Sequence, residues 1–116
     1  MLLALLLVLG CARDSAWDLV SKADFPSPDG QRVATVFEMC CYCTTGYFPQ
    51  LTVRRATERF AGQYGNVLRG GPGDTIKVRW TSPTNLVVEH HSMGKLVTHS
   101  VGTTNVAGVI VEFVNP

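Results

Sequence analysis

Cysteine and histidine are the residues of this chain whose types and spacing could support chemistry. Cys40, Cys41 and Cys43 stand close together, and Cys40 and Cys43 form a C-x-x-C pair. Thiol redox work at such a pair needs a helix N-terminus that lowers the thiol pKa, and no helical or βαβ pattern surrounds it. In an exported chain these cysteines are candidates for a structural disulfide, and their odd count leaves one thiol free or intermolecular.

The histidines offer a second kind of site. If a turn at Met93-Gly94 centres a hairpin, His90 and His99 lie diagonally on one face, about 7 Å apart at Cβ and within reach of one metal ion. The metal hypothesis takes its ligands from both groups of residues, namely Cys40, Cys43, His90 and His99. A four-ligand structural site usually shows a second closely spaced pair, which is missing, and histidines at the rim of a core face are commonly satisfied by hydrogen bonds.

Motifs for hydrolysis and for phosphate binding are missing from the sequence. There is no G-x-S-x-G segment, and the serines beside the histidines have no acid at a convincing spacing. The glycine-rich stretch 70–73 leads into a strand pattern, so it lacks the helix N-terminus that holds a phosphate. The sequence leans against an enzyme without excluding one, and it predicts no catalytic residue and no cofactor.

The N-terminal stretch predicts export and a lipid anchor. Residues 1–10, MLLALLLVLG, form an uncharged leucine-rich run typical of a signal peptide and too short to span a bilayer. The segment that ends at Cys11 resembles a bacterial lipobox, which implies that this cysteine is lipidated, for example with palmitate. Leu9 is bulkier than usual and no Lys or Arg precedes the run, so a plain secretory signal or a short anchor is the alternative. Residues 11–24 are then the lipidated cysteine and a tether.

Charge and the anchor together predict the location. Ten Lys and Arg against nine Asp and Glu leave the chain near neutral, so no charge bias favours nucleic acid. We expect the bacterial cell envelope. Ala12 is not the aspartate that usually retains lipoproteins at the inner membrane, which favours the periplasmic face of the outer membrane in a cell that has one.

The remainder, 25–116, is predicted to be a single all-β domain. Residues 76–80 alternate between apolar and cationic side chains, as in a half-buried strand, and no run suits a helix beyond one or two turns. The expected fold is an antiparallel meander of about six or seven strands, as a curled sheet, a sandwich or a partial barrel. The strands are expected at 32–39, 51–54, 66–69, 76–80, 86–91, 96–101 and 106–114, with 86–91 and 96–101 paired as a hairpin.

A faint internal repeat connects two turns of this domain. The pattern Phe25-x-Ser27-Pro28 recurs 55 residues later as Trp80-x-Ser82-Pro83, each followed by a β-branched strand. An aromatic residue, a Ser-Pro turn and a strand resemble a hairpin unit of a propeller blade. Two such units are too few for a propeller, which needs about four blades or more.

Further motifs in the same order resemble a family. Ser27-Pro28-Asp29-Gly30 is followed by Cys41, by Thr44-Thr45-Gly46 and by Gly65-Asn66-Val67. This order is similar to a domain-of-unknown-function family of small bacterial lipidated or membrane-anchored proteins with the pattern S-P-D-G, C-G-A-T-T, G-N-V. The resemblance implies location and fold but no activity. Cys43 stands where the family more often has alanine, and Cys40 is extra, which puts any family role of the lone cysteine in doubt.

Together these observations predict a lipid-anchored envelope protein that binds or interacts structurally at the membrane surface. Its expected partners are the membrane, through the anchor, and an envelope protein that the sequence does not identify. The alternative is a metal-binding or thiol-redox protein that uses the Cys40–Cys43 cluster with His90 and His99.

Overall fold

A computed structural model of the protein describes residues 17–41, 47–60, 65–91, 98–99 and 103–114. Within these ranges the chain forms strands and turns only, which confirms the predicted all-β class. No helix in this part of the chain is long and apolar enough to cross a membrane.

The strands form two sheets. The first sheet is antiparallel throughout and runs in the order β1-β2-β3-β4-β7. Its strands are β1 (Trp17–Pro26), β2 (Arg32–Cys41), β3 (Phe48–Arg55), β4 (Leu68–Arg69) and β7 (Thr98–His99). The second sheet is mixed and runs β5-β6-β9-β8, with β6 and β9 parallel. Its strands are β5 (Thr75–Ser82), β6 (Asn85–His91), β8 (Thr103–Val106) and β9 (Val109–Val114).

One apolar core lies between the two sheets. Period-two alternation directs every second side chain of each strand inward. Ile76, Val78 and Trp80 of β5 pack against this core, as the sequence predicts. Its fully buried members come from both sheets: Ala34, Leu51, Val53 and Leu68 from the first, and Leu86, Val88, Val109 and Val111 from the second.

The Ser-Pro-Asp-Gly segment closes the hairpin between β1 and β2 with its own hydrogen bonds. The Ser27 hydroxyl donates to Asp29 Oδ1 at 2.7 Å and accepts the Arg32 N–H at 3.1 Å. Asp29 also accepts the Gln31 N–H. These two hydrogen bonds hold the pKa of the Asp29 carboxyl below its usual value, and the bond from Ser27 has the larger effect. Gly30 has a φ of 72°, a left-handed conformation that glycine adopts without steric cost.

The Gly-Asn-Val segment extends the first sheet past β3. The Asn66 side chain pairs with the main chain of Val53 as a strand would: Oδ1 accepts the N–H at 2.9 Å and Nδ2 donates to the carbonyl at 2.8 Å. Val67 then donates its N–H to the Leu51 carbonyl at 3.1 Å. A Cβ on Gly65 would lie 2.6 Å from that same carbonyl oxygen, so only glycine fits there. Two motifs of the family resemblance therefore have structural roles.

The hairpin expected between 86–91 and 96–101 is wrong. Both edges of β6 are occupied, one by β5 and the other by β9, and β7 lies in the first sheet beside β4. The pairing with β9 sets Leu86 beside Val111 and Val88 beside Phe113, which buries apolar side chains on the core face. Residues 106–114 are also not one strand, because a turn at Ala107-Gly108, with positive φ at both residues, separates β8 from β9.

Strand β1 begins at Trp17, inside the segment that the sequence assigns to a tether. It pairs with β2 along its length, with a bulge between Leu19 and Ser21. In the repeat-related hairpin β5-β6 the turn is shorter, and the Thr84 N–H donates to the Ser82 hydroxyl at 3.2 Å. The two Ser-Pro turns therefore differ in hydrogen bonding, because the Ser27 hydroxyl instead bonds Asp29 and the Arg32 N–H.

Candidate functional site

A cleft of about 340 Å³ opens on one side of the sandwich, between β1 and β5. We name it the edge cleft. Both strands stand at the end of their sheets in the strand order of the described residues. The cleft is lined by Ser21, Lys22, Ala23, Val36, Glu38, Pro49, Asp74, Thr75 and Ile76. The outer edges of β1 and β5, with their main-chain groups, therefore border the cleft.

The indole of Trp80 joins β5 to β1 away from the cleft. Its Nε1–H donates to the Phe25 carbonyl oxygen at 2.8 Å. Phe25 is paired with Ala34, whereas the β1 residues in the cleft pair further along β2. The two strands are therefore joined at one end and leave room between them toward Ser21 and Thr75.

Glu38 supplies the carboxylate of the cleft wall. Alternation from Ala34 and Val36 places it on the core side of β2, and it is partly buried. The Ser21 hydroxyl donates to its Oε1 at 2.9 Å. Val36, Pro49 and Ile76 form apolar walls around it. The cleft thus combines apolar side chains with an oriented carboxylate on Glu38, a combination that is typical of small binding sites.

A buried aspartate and histidine pair lies at the inner end of the cleft. Asp74 Oδ2 is 2.9 Å from His90 Nε2, and the two side chains are 1% and 5% exposed. The same oxygen accepts the Gly71 N–H at 2.9 Å. Asp74 lies just before β5, two residues before the inward-facing Ile76, so its side chain also faces inward. His90 of β6 is the residue that pairs with Ile76. The aspartate thereby fixes both the glycine-rich turn and the histidine ring.

Lys22, the cationic residue among the described residues that line the cleft, has its ammonium group on the outer side of the first sheet. Lys22 Nζ lies 3.3 Å from Asp24 Oδ2 and 4.9 Å above the Phe60 ring. Phe60 in turn packs edge-on against buried Phe37, with the ring centroids 5.1 Å apart. Hydrogen bonding from Thr35, supplemented by Lys22, holds the pKa of the Asp24 carboxyl below its usual value. Lys22 is therefore paired away from Glu38.

The described residues of the predicted metal site lie on three different strands. Cys40 is fully buried near the end of β2, and its side chain is not a free thiol. His90 lies in the second sheet against Asp74, and His99 lies in the first sheet, paired with Leu68. Cys11 and Cys43 fall outside the described residues, and of Cys41 only the pairing with Trp17 is described.

No group of three or more metal-ligating side chains occurs in the part of the chain that the structure describes. The expected diagonal pairing of His90 with His99 depended on a hairpin that is not formed. The metal and thiol-redox alternatives stay predictions without support from these residues.

Sequence reasoning overlooked Asp74 and Glu38. Asp74 looked like part of the turn 70–74, but continuing the alternation of Ile76 and Val78 by one step would have placed it inward. Glu38 could likewise have been found from Ala34 and Val36. Their meeting in one cleft had no sequence signal, because it depends on how the two sheets pack.

Compared with known proteins, the chain matches no protein-family profile, no curated protein and no solved structure. The suggested family therefore stays a resemblance, and a functional proposal has to depend on the geometry described above.

Proposed function

We propose that this protein is a lipid-anchored module of the bacterial cell envelope that binds another polypeptide through the edge cleft. The observation that carries the proposal is the position of the cleft between two strand edges. Edge strands present unpaired N–H and C=O groups, which are templates for pairing with a further chain.

The balance of groups in the cleft supports binding over catalysis. His90, which contacts the cleft residue Asp74, is 5% exposed and is oriented by that carboxylate. A catalytic base must reach the proton that it removes, and this ring is enclosed. Apolar side chains beside the Glu38 carboxylate match recognition of a side chain or a short segment.

Site-directed photocrosslinking in the native envelope tests the binding surface. A photoreactive amino acid at Thr75, on the cleft rim, should give a discrete crosslinked polypeptide. The matched control is Ile110, which is 43% exposed on the same outward face of the second sheet but on β9, two strands away from β5. Equal crosslinking from both positions, or none from Thr75, would contradict the proposal.

Lipidation at Cys11 is the second part of the proposal. Its support is the lipobox-like segment before a chain that forms a folded sheet from Trp17 onward. Mass spectrometry of the membrane fraction should find acyl chains on Cys11, and Cys11→Ser should release the protein from the membrane. A variant that stays equally membrane-bound would count against the anchor.

We also propose a disulfide at Cys40, which would fasten the end of β2. Cys40 is 0% exposed, and no described cysteine is free. Cys41 and Cys43 both remain candidate partners. Peptide mapping without reduction should find Cys40 linked to one of them, and quantitative alkylation of Cys40 in the unreduced, unfolded protein would overturn this assignment.

A further inference from the structure

We infer that the edge cleft binds an extended polypeptide segment that pairs with the free edge of β1 and directs a Lys or Arg side chain to Glu38. The inference rests on the proposed binding function and names the chemistry of its ligand. It combines an accessible strand edge, a pocket of suitable size and a carboxylate that pairs with no cation among the described lining residues.

The edge of β1 provides the main-chain part of the site. In the described sheet β1 pairs only with β2, and its residues from Asp18 to Pro26 are exposed. Ser21, Lys22 and Ala23 of this strand line the cleft directly. A segment added to β1 would hydrogen-bond through its backbone, and every second side chain would face the cleft.

The interior of the cleft suits one long side chain. Its volume of about 340 Å³ is near the lower end of ordinary ligand sites, which excludes a large folded epitope. Val36, Pro49 and Ile76 can cover an aliphatic stem, and Lys and Arg bury such stems while their charged heads stay polar.

The charges favour a basic side chain. Glu38 Oε1 accepts one hydrogen bond from Ser21, and a carboxylate has capacity for several more. Lys22, the cation among the described lining residues, is paired with Asp24. An acidic ligand side chain would meet the Glu38 carboxylate, and like charges at close range repel.

Binding of short synthetic peptides to the full-length protein in detergent micelles tests the inference. Fluorescent Val-Thr-Lys-Thr-Val should bind at least about tenfold more tightly than the same peptide with Glu in place of Lys, because a charge-assisted hydrogen bond contributes that much. Glu38→Gln should weaken the Lys peptide by about tenfold. The control Glu112→Gln removes the same charge from an exposed position on β9 and should leave affinity unchanged.

Hydrogen exchange supplies the readout for strand pairing. The bound Lys peptide should slow amide exchange within Ser21–Ala23, whereas binding without protection there would overturn strand addition. Equal affinity for the Lys and Glu peptides would overturn the basic-residue assignment, and this comparison needs no variant that might misfold. Absence of peptide binding would overturn the inference as a whole, while a crosslink from Thr75 to a polypeptide would still support the proposed function.

Discussion

The indole N–H of Trp80 donates a hydrogen bond to the carbonyl oxygen of Phe25, with 2.8 Å between the two atoms. The two residues are 55 positions apart and hold the same place in the two Ser-Pro hairpins. The bond joins an edge of the first sheet to an edge of the second, at the end of the two strands that lies away from the edge cleft.

Replacing this donor should loosen the joined end. Trp80→Phe keeps an aromatic ring but removes the N–H, and we expect the free energy of unfolding to fall by about 1 kcal/mol or somewhat more. Urea denaturation measures the change. Thr81→Val is the control, because it removes an exposed 3.4 Å hydrogen bond and should cost less. Equal stabilities of the Trp80→Phe and parent proteins would show that the bond contributes nothing.

Two glycine substitutions should destabilise the protein by different amounts. Gly65→Ala places a Cβ 2.6 Å from the Leu51 carbonyl oxygen, so the backbone of the extended sheet has to move, and we expect a loss above about 2 kcal/mol. Gly30→Ala meets no atom within 4 Å and should lose only about 1 kcal/mol from its left-handed φ. Thermal unfolding of both variants gives the comparison, and the reverse order of stabilities would refute the close approach at Gly65.

The Asp74–His90 pair should show strong coupling. Since both side chains are at least 95% buried, a double-mutant cycle with Asp74→Asn and His90→Gln should give an interaction energy above about 1 kcal/mol. Lys77 and Glu89, directly opposite on the outward face, are the matched control and should couple by less than about 1 kcal/mol. Comparable coupling in the two cycles would mean that burial of the inner pair has no energetic effect.

Acid should weaken the protein partly through Asp24. Its folded-state pKa is lowered below 3.8, first by the Thr35 hydroxyl. A carboxylate whose pKa is lowered by folding stabilises the folded protein at pH values above its unfolded-state pKa. This stabilisation is lost as the pH falls through the folded-state pKa, so we expect the loss below about pH 4. The difference in the free energy of unfolding between the parent protein and Asp24→Asn should become smaller below about pH 4.

An NMR titration of Asp24 provides the complementary measurement. Thr35→Val removes the largest cause of the shift and should raise the pKa of Asp24 toward its ordinary value. An unchanged titration in that variant would assign the shift to Lys22 and Arg54 instead.

Local pattern was enough to predict most strands, but it missed β1 and the division between β8 and β9, and it did not predict the strand pairing. The alternation of Ile76, Val78 and Trp80 identifies β5 and its inward face, and the Ser-Pro-Asp-Gly turn identifies the first hairpin. The pairing of β6 with β9 escaped prediction because a nearby turn signal suggested a local hairpin, whereas apolar burial selected a distant parallel partner.

The edge cleft could not be predicted from local pattern either. Its walls come from Ser21, Glu38 and Asp74, which lie on three strands or turns far apart in sequence. Single residues could be placed on a face from the pattern, but the space between them depends on the packing of one sheet on the other.

The parallel pairing of β6 with β9 also bears on synthesis and export. Val109–Val114 is inserted between β6 and β8, and two of its residues are core members. A growing chain therefore cannot complete its second sheet until residues 109–114 have left the ribosome, and such long-range pairing forms slowly. For the exported protein that we propose, this delay would help to keep the newly made chain open enough to be threaded across a membrane before it folds.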